Sequence, residues 1–149
     1  MSSRADLLSA AQSFCSAFAA GSSLDTVVAF FSTQTPPLVI EYGLPAFAPF
    51  LGRPFNDTNG VVEYFTSLTN LVQIDGMTFS DYVVDAEVRK VSVKGTGRFT
   101  WRETGQAWDE TFTYTLDFDD ALKVTKYQVW ADSGALYLAR TGKLNALVN

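Results

Sequence analysis

The sequence predicts an α+β domain in which helices pack into the concave face of a strongly curved antiparallel sheet. Two observations carry this. Helical and strand-like segments follow one another as helix, helix, strand, helix and then a run of strands. Within that run, every even position from Trp108 to Phe118 is Trp, Glu, Phe, Tyr, Leu or Phe, and the odd positions from Asp109 to Asp117 are Asp, Thr, Thr, Thr and Asp. Strict alternation over this length marks a sheet with one buried and one wet face. With 149 residues and no repeat or low-complexity linker, residues 1–149 read as a single domain.

Taken in order, Asp6–Ala20 is the first helix. Leu7, Leu8, Ala11, Phe14, Cys15 and Phe18 fall at helical spacing, and Gly21 supplies a stop. Ser23-Leu24-Asp25 opens a shorter helix running through Val27, Val28, Phe30 and Phe31, and Pro36-Pro37 closes the helical region. Leu38–Tyr42 is a short strand. Gly43–Phe55 is a loop rich in Pro, Gly and Phe, expected to tuck over another part of the protein. A third helix runs from about Val61 to Leu71, with Val61, Val62, Phe65, Leu68 and Leu71 on one stripe. Ile74–Val84 is a strand region with a break expected at Asp75-Gly76. The long strands Val88–Arg102, Ala107–Phe118 and Lys123–Asp132 follow, and Ser133–Lys143 ends the chain as a helical turn.

Composition narrows the function. The formal net charge is −5 and no Lys/Arg cluster occurs, which argues against nucleic acid or an anionic membrane as partner. The absence of histidine excludes His general bases, Ser/His and Cys/His triads and His-ligated metals. Cys15, the single cysteine, lies on the apolar side of a helix and reads as inert packing. Gly95-Thr96-Gly97 sits inside a strand pattern and reads as a bulge or bend rather than a phosphate cradle. No apolar segment reaches spanning length and no signal-peptide pattern is present, so a cytoplasmic protein is expected. Twelve Phe, six Tyr and three Trp are enough to line an apolar pocket as well as fill a core.

Several pieces resemble the nuclear transport factor 2-like superfamily, and within it the SnoaL-like polyketide cyclase branch. They are Phe50-Leu51-Gly52-Arg53, Gly60-Val61-Val62-Glu63-Tyr64-Phe65, Val91-Ser92-Val93-Lys94-Gly95-Thr96-Gly97, and the final strand from Lys123 to Asp132. The resemblance implies a cone-shaped α+β barrel, its curved antiparallel sheet and three N-terminal helices enclosing one apolar cavity. Relatives include polyketide cyclases, ketosteroid isomerase, scytalone dehydratase, limonene epoxide hydrolase and fungal terpenoid isomerases, and others only bind ligands or partners. The Arg-Phe-Thr at Arg98-Phe99-Thr100 departs from the Arg-x-Asp of the epoxide hydrolases, and the missing histidine departs from scytalone dehydratase.

Four residues are candidates for chemistry. Asp132 matches the position where cyclase-like members place a catalytic acid or base, and would need a dry pocket to raise its pKa. It equally suits an N-cap before Ser133-Gly134-Ala135. Glu110 is the one carboxylate in the aromatic row of its strand, and must be paired, protonated or facing a polar cavity. Lys126 and Arg98 are its possible partners. Tyr114, on the same face, is either a donor to a developing oxyanion or a core tyrosine. Tyr42 shares the parity of Leu38 and Ile40 and is expected inward, with Glu41 on the surface. Phe47, Phe50, Trp101, Trp108 and Trp130 are expected to shape the cavity, with Gln128 facing it if Trp130 does. Tyr127 and Val129 occupy the other parity, so the inward face of the last strand stays open.

These readings converge on a cofactor-independent enzyme of secondary metabolism. It would isomerise, cyclise or dehydrate an apolar polyketide or terpenoid, with a carboxylate moving the proton and a tyrosine stabilising the enolate. A non-catalytic module binding a small ligand or a protein is the alternative, and a structural dimer without a useful pocket a third. No cofactor or metal is required. The expected partners are an apolar small molecule and a second copy of the chain, joined through the Thr-rich sheet face as a homodimer.

Overall fold

The computed structural model describes residues 2–148. Its elements are α1 (Arg4–Ala19), α2 (Leu24–Val28), β1 (Leu38–Tyr42), a 3-10 turn (Pro45–Phe47), β2 (Phe55–Asn56), α3 (Asp57–Leu71), β3 (Val72–Asp85), β4 (Lys90–Trp101), β5 (Ala107–Phe118), β6 (Val124–Trp130), α4 (Ser133–Arg140) and α5 (Leu144–Val148). The helix starts follow from capping chemistry. Ser3 and Asp6 form a reciprocal box at α1, each side chain accepting the other's backbone N–H at 3.1 Å. Ser23 caps α2 by accepting from Thr26 N. α3 begins four residues before the expected Val61, because Asp57 takes a left-handed conformation and its carboxylate accepts from Gly60 N at 3.1 Å.

The six strands form one curved sheet in the order β2-β1-β6-β5-β4-β3. β1 and β6 run parallel and every other pair is antiparallel. The α+β arrangement of a curved sheet with helices in its concave face is as expected, and the sheet stays open: among the described residues β2 and β3 are edges that do not pair with each other. β2 is only two residues long, too short to bridge the gap, and α3 closes it instead by packing on both β1 and β3.

The break expected at Asp75-Gly76 is a bulge in β3. Asp75 pairs with Arg98 and Thr78 with Thr96, so two residues of β3 oppose Gly97 alone, and Gly76 takes a φ of 60°. The glycines of β4 therefore do not bulge in their own strand, whose register with β5 runs unbroken from Lys90 to Thr100. Gly95 serves packing: a Cβ there would lie 2.2 Å from the Phe112 ring.

The core fills the concave side. Phe14 of α1 meets Phe30, Phe31, Tyr114 and Tyr127 edge-on at centroid distances of 5.8 to 6.5 Å. Cys15 is buried in it, and burial pushes its thiol up to about 12, so it is inert as expected. The Gly43–Phe55 loop tucks in through Phe50 and Leu51, both buried. Among the described residues no helix is long and apolar enough to cross a membrane.

Candidate active site

The parallel pairing of β1 with β6 sets which residues face inward. Val39 lies beside Tyr127 and Glu41 beside Val129, and all four are buried. Val129 in turn lies beside Tyr114 of β5, so Glu41, Val129 and Tyr114 form one row across three strands. Glu110 stands earlier in β5 on the same face, two residues before Phe112. Glu41, Glu110, Tyr114, Tyr127 and Val129, with Tyr64 and Leu68 of α3, Trp108 of β5 and Leu136 of α4, line one chamber with about 30 Å³ of free space, room for a water or two. The chamber shares Phe18, Val72, Ile74 and Met77 with a wider outer pocket of about 460 Å³ under the ends of α1 and α3.

Two carboxyls share this apolar space. Glu41 is 7% exposed and Glu110 8%. Burial pushes Glu41 up to about 7; the Tyr64 hydroxyl, donating to Glu41 Oε1 at 2.5 Å, pulls it partly back, and the nearby Glu110 charge pushes it up again. Burial likewise raises Glu110 to about 7, against the hydrogen bonds that Trp108 Nε1 donates at 3.0 Å and Asp132 N at 3.1 Å. Tyr64, Tyr114 and Tyr127 are raised well above the ordinary phenol range, by burial first, and so stay protonated donors at neutral pH. One ionised and one protonated carboxyl can thus face one apolar guest, with phenol donors beside them.

The residues singled out from sequence divide sharply. Glu110, Tyr114 and Trp108 line the chamber. Neither Lys126 nor Arg98 partners Glu110; Arg98 pairs with Asp109 instead. Tyr42 points outward and is 37% exposed, while Glu41, expected on the surface, faces inward. Leu38, Ile40 and Tyr42 form the outer face because their partners across the ladder are Lys126, Gln128 and Trp130. Trp130, 42% exposed, stacks on Tyr42 at 4.9 Å, and Gln128 accepts from the Tyr42 hydroxyl at 2.7 Å, so all three lie together outside the cavity. Tyr127 and Val129 give the inward parity of β6.

Three other aromatics and one acid also lie elsewhere. Phe47, half-buried, stacks on Tyr137 of α4 at 4.4 Å and does not reach the chamber. Phe50 is buried against Tyr64 but does not reach the chamber, and Trp101 is buried under the Arg140 guanidinium. Asp132 is exposed and caps α4, its Oδ1 accepting from Ala135 N at 2.9 Å. Only its backbone N–H reaches the site. Sequence reasoning missed Tyr64 and the inward Glu41. Tyr64 lies three residues after Val61 and four before Leu68, a spacing that places it on the buried stripe of α3.

Among the described residues no three His, Cys, Asp or Glu side chains converge as a metal cage would require. No family model matches the chain, and no curated protein matches it by sequence. Solved structures do match over almost the whole chain. An NTF2-like protein from Burkholderia xenovorans superposes with a TM-score of 0.74 at 17% identity, covering 92% of this chain and 97% of that one. PrhC from Penicillium brasilianum gives 0.71 at 21% identity, with 98% and 96% covered. BvnE pinacolase from Penicillium brevicompactum gives 0.67 at 16%, with 95% of each covered. Matches extend to proteins described as isomerases and as a SnoaL-like polyketide cyclase. The fold is therefore that of the NTF2-like proteins.

Proposed function

We propose that this chain is a cofactor-independent enzyme of secondary metabolism that moves a proton on an apolar polyketide or terpenoid, in an isomerisation, cyclisation or dehydration. The observation that carries the reading is the pair Glu41 and Glu110: two carboxyls from different strands, each more than nine-tenths buried, facing one apolar chamber and both raised to about 7. Structural carboxylates of a core are normally paired with a cation, and these are not; their partners are a phenol, an indole N–H and a backbone N–H. The ionised member takes a proton next to a substrate carbonyl, and the protonated member returns one at another position. Tyr114 donates to the enolate oxygen between the two steps, since the single Tyr64 proton is held by Glu41. The body of the substrate occupies the outer pocket, since the inner chamber has room only for the reacting atoms. The structural matches described as isomerases and as a pinacolase support a secondary-metabolism enzyme.

The homodimer and cytoplasmic location expected from the sequence are part of this proposal. Thr111, Thr113 and Thr115, beside the exposed Tyr42–Trp130 stack, offer the sheet face for it.

The test is deuterium uptake next to the carbonyl of terpenoid ketones, menthone first, followed by proton NMR in D2O. Exchange should exceed the buffer rate with an optimum near neutral pH, and Glu41→Gln or Glu110→Gln should slow it by roughly 100-fold or more. Tight binding of the same ketones with no exchange above buffer would replace this reading with that of a binding module.

A further inference from the structure

The outer pocket adds a statement about the ligand, which rests on the reading that Glu41 and Glu110 act on it. The wall of this pocket is built from apolar and neutral residues with a single charged member, Arg102. Arg102 directly follows β4 and is held at the end of α3 by two bonds: its backbone N–H donates to Leu71 O at 2.9 Å and its Nε to Thr69 O at 3.0 Å. Arg53, Lys90, Lys94 and Arg98 each have a carboxylate partner, whereas Arg102, like Lys123 and Arg140, bonds backbone carbonyls instead, and of these it alone lines the pocket. Its Nε is committed to the helix end, so the guanidinium is fixed in place while its terminal amino groups are left to bind something else.

The charge layout is polar from end to end. The inner chamber holds two carboxyls and the outer pocket one cation, joined by an apolar wall that includes Phe18, Val72, Ile74 and Met77. We infer that the ligand is an amphipathic apolar acid whose anionic group is held by Arg102, so that its uncharged end enters the chamber. Coulombic repulsion from the chamber carboxyls disfavours the reverse orientation, and the two ends thereby fix which atoms reach Glu41 and Glu110. Arg102 is a specificity-determining residue in this arrangement and takes no proton.

The test compares farnesoic acid with its methyl ester by calorimetric titration. These probes share one apolar body, and only the acid carries the charge. The wild type should bind the acid roughly five- to tenfold more tightly than the ester, with the margin shrinking in high salt. Arg102→Gln should remove the preference while still binding the ester, which also reports an intact fold, and Arg102→Lys should keep part of it. Equal affinities in the wild type, an undiminished preference in Arg102→Gln, or no binding of either probe would each overturn the inference. Failure of the proton-transfer reading shows differently, as an intact acid preference with no deuterium exchange.

Discussion

The backbone N–H of Asp132 donates to the Glu110 carboxylate at 3.1 Å, while the Asp132 side chain turns away to cap α4. The residue thus reaches the site through its main chain, and its carboxylate acts on Glu110 only as a nearby charge that pushes it up. Asp132→Asn keeps a good cap and should change stability by less than about 0.5 kcal/mol, whereas Asp132→Ala should cost about 1 kcal/mol in urea unfolding. Both variants should lower the Glu110 titration seen by carboxyl NMR, because both remove the repelling charge. An upward move in Asp132→Asn would contradict this geometry.

Tyr64→Phe tests the other carboxyl. The Tyr64 hydroxyl stabilises ionised Glu41, so its removal should move the Glu41 titration further above about 7. The ring stays, and with it the edge contacts to Phe55 and Phe65, so the loss of stability should be that of one buried hydrogen bond, about 1–3 kcal/mol. Glu110, which has no bond to Tyr64, should titrate nearly as in the wild type. Equal movement of both carboxyls would mean that the variant disturbs the chamber as a whole.

Legibility followed the length of the pattern. β5 spans Ala107–Phe118 as its alternation predicts, and Glu110 stood out because a carboxylate broke a long apolar row. β1 has only five residues, and Leu38, Ile40 and Tyr42 make its outer face as apolar as its inner one. Parity alone therefore pointed the wrong way and hid Glu41. The missing information was non-local: only the parallel ladder with β6 places Glu41 beside Val129. Trp130 misled for a related reason, since a half-exposed aromatic stack on the outer face carries the same sequence signal as a cavity wall. The N-cap role of Asp132 was readable from the small residues after it.

Stability should depend on pH through the same carboxyls. Both are raised from an ordinary 4.5 to about 7 in the folded protein, so the fold retains protons that the unfolded chain releases in between. Their contribution is full below about 4.5 and is lost as pH rises to about 7, by an amount on the order of 3 kcal/mol for each group taken alone. Urea midpoints should accordingly fall between about pH 5 and 7 and then level off. Glu41→Gln and Glu110→Gln should each flatten part of that slope and the double variant most of it. A slope unchanged in the double variant would assign it to other groups.

Gly95→Ala probes the packing that shapes the chamber wall. Gly95 lies opposite Phe112 across the β4–β5 ladder, and an added Cβ would fall 2.2 Å from that ring. Phe112 cannot slide aside freely, because Phe79 and Phe99 hold it edge-on at 5.9 and 6.0 Å. On backbone entropy alone, replacing a strand glycine by alanine should stabilise the protein slightly. The clash should reverse that sign and cost about 1–3 kcal/mol in thermal unfolding. Gly95→Ala combined with Phe112→Leu should recover part of the loss, since the smaller side chain vacates the space. A stabilised single variant would show that the ring does not need the glycine, and that residue choice in this strand follows propensity rather than the chamber.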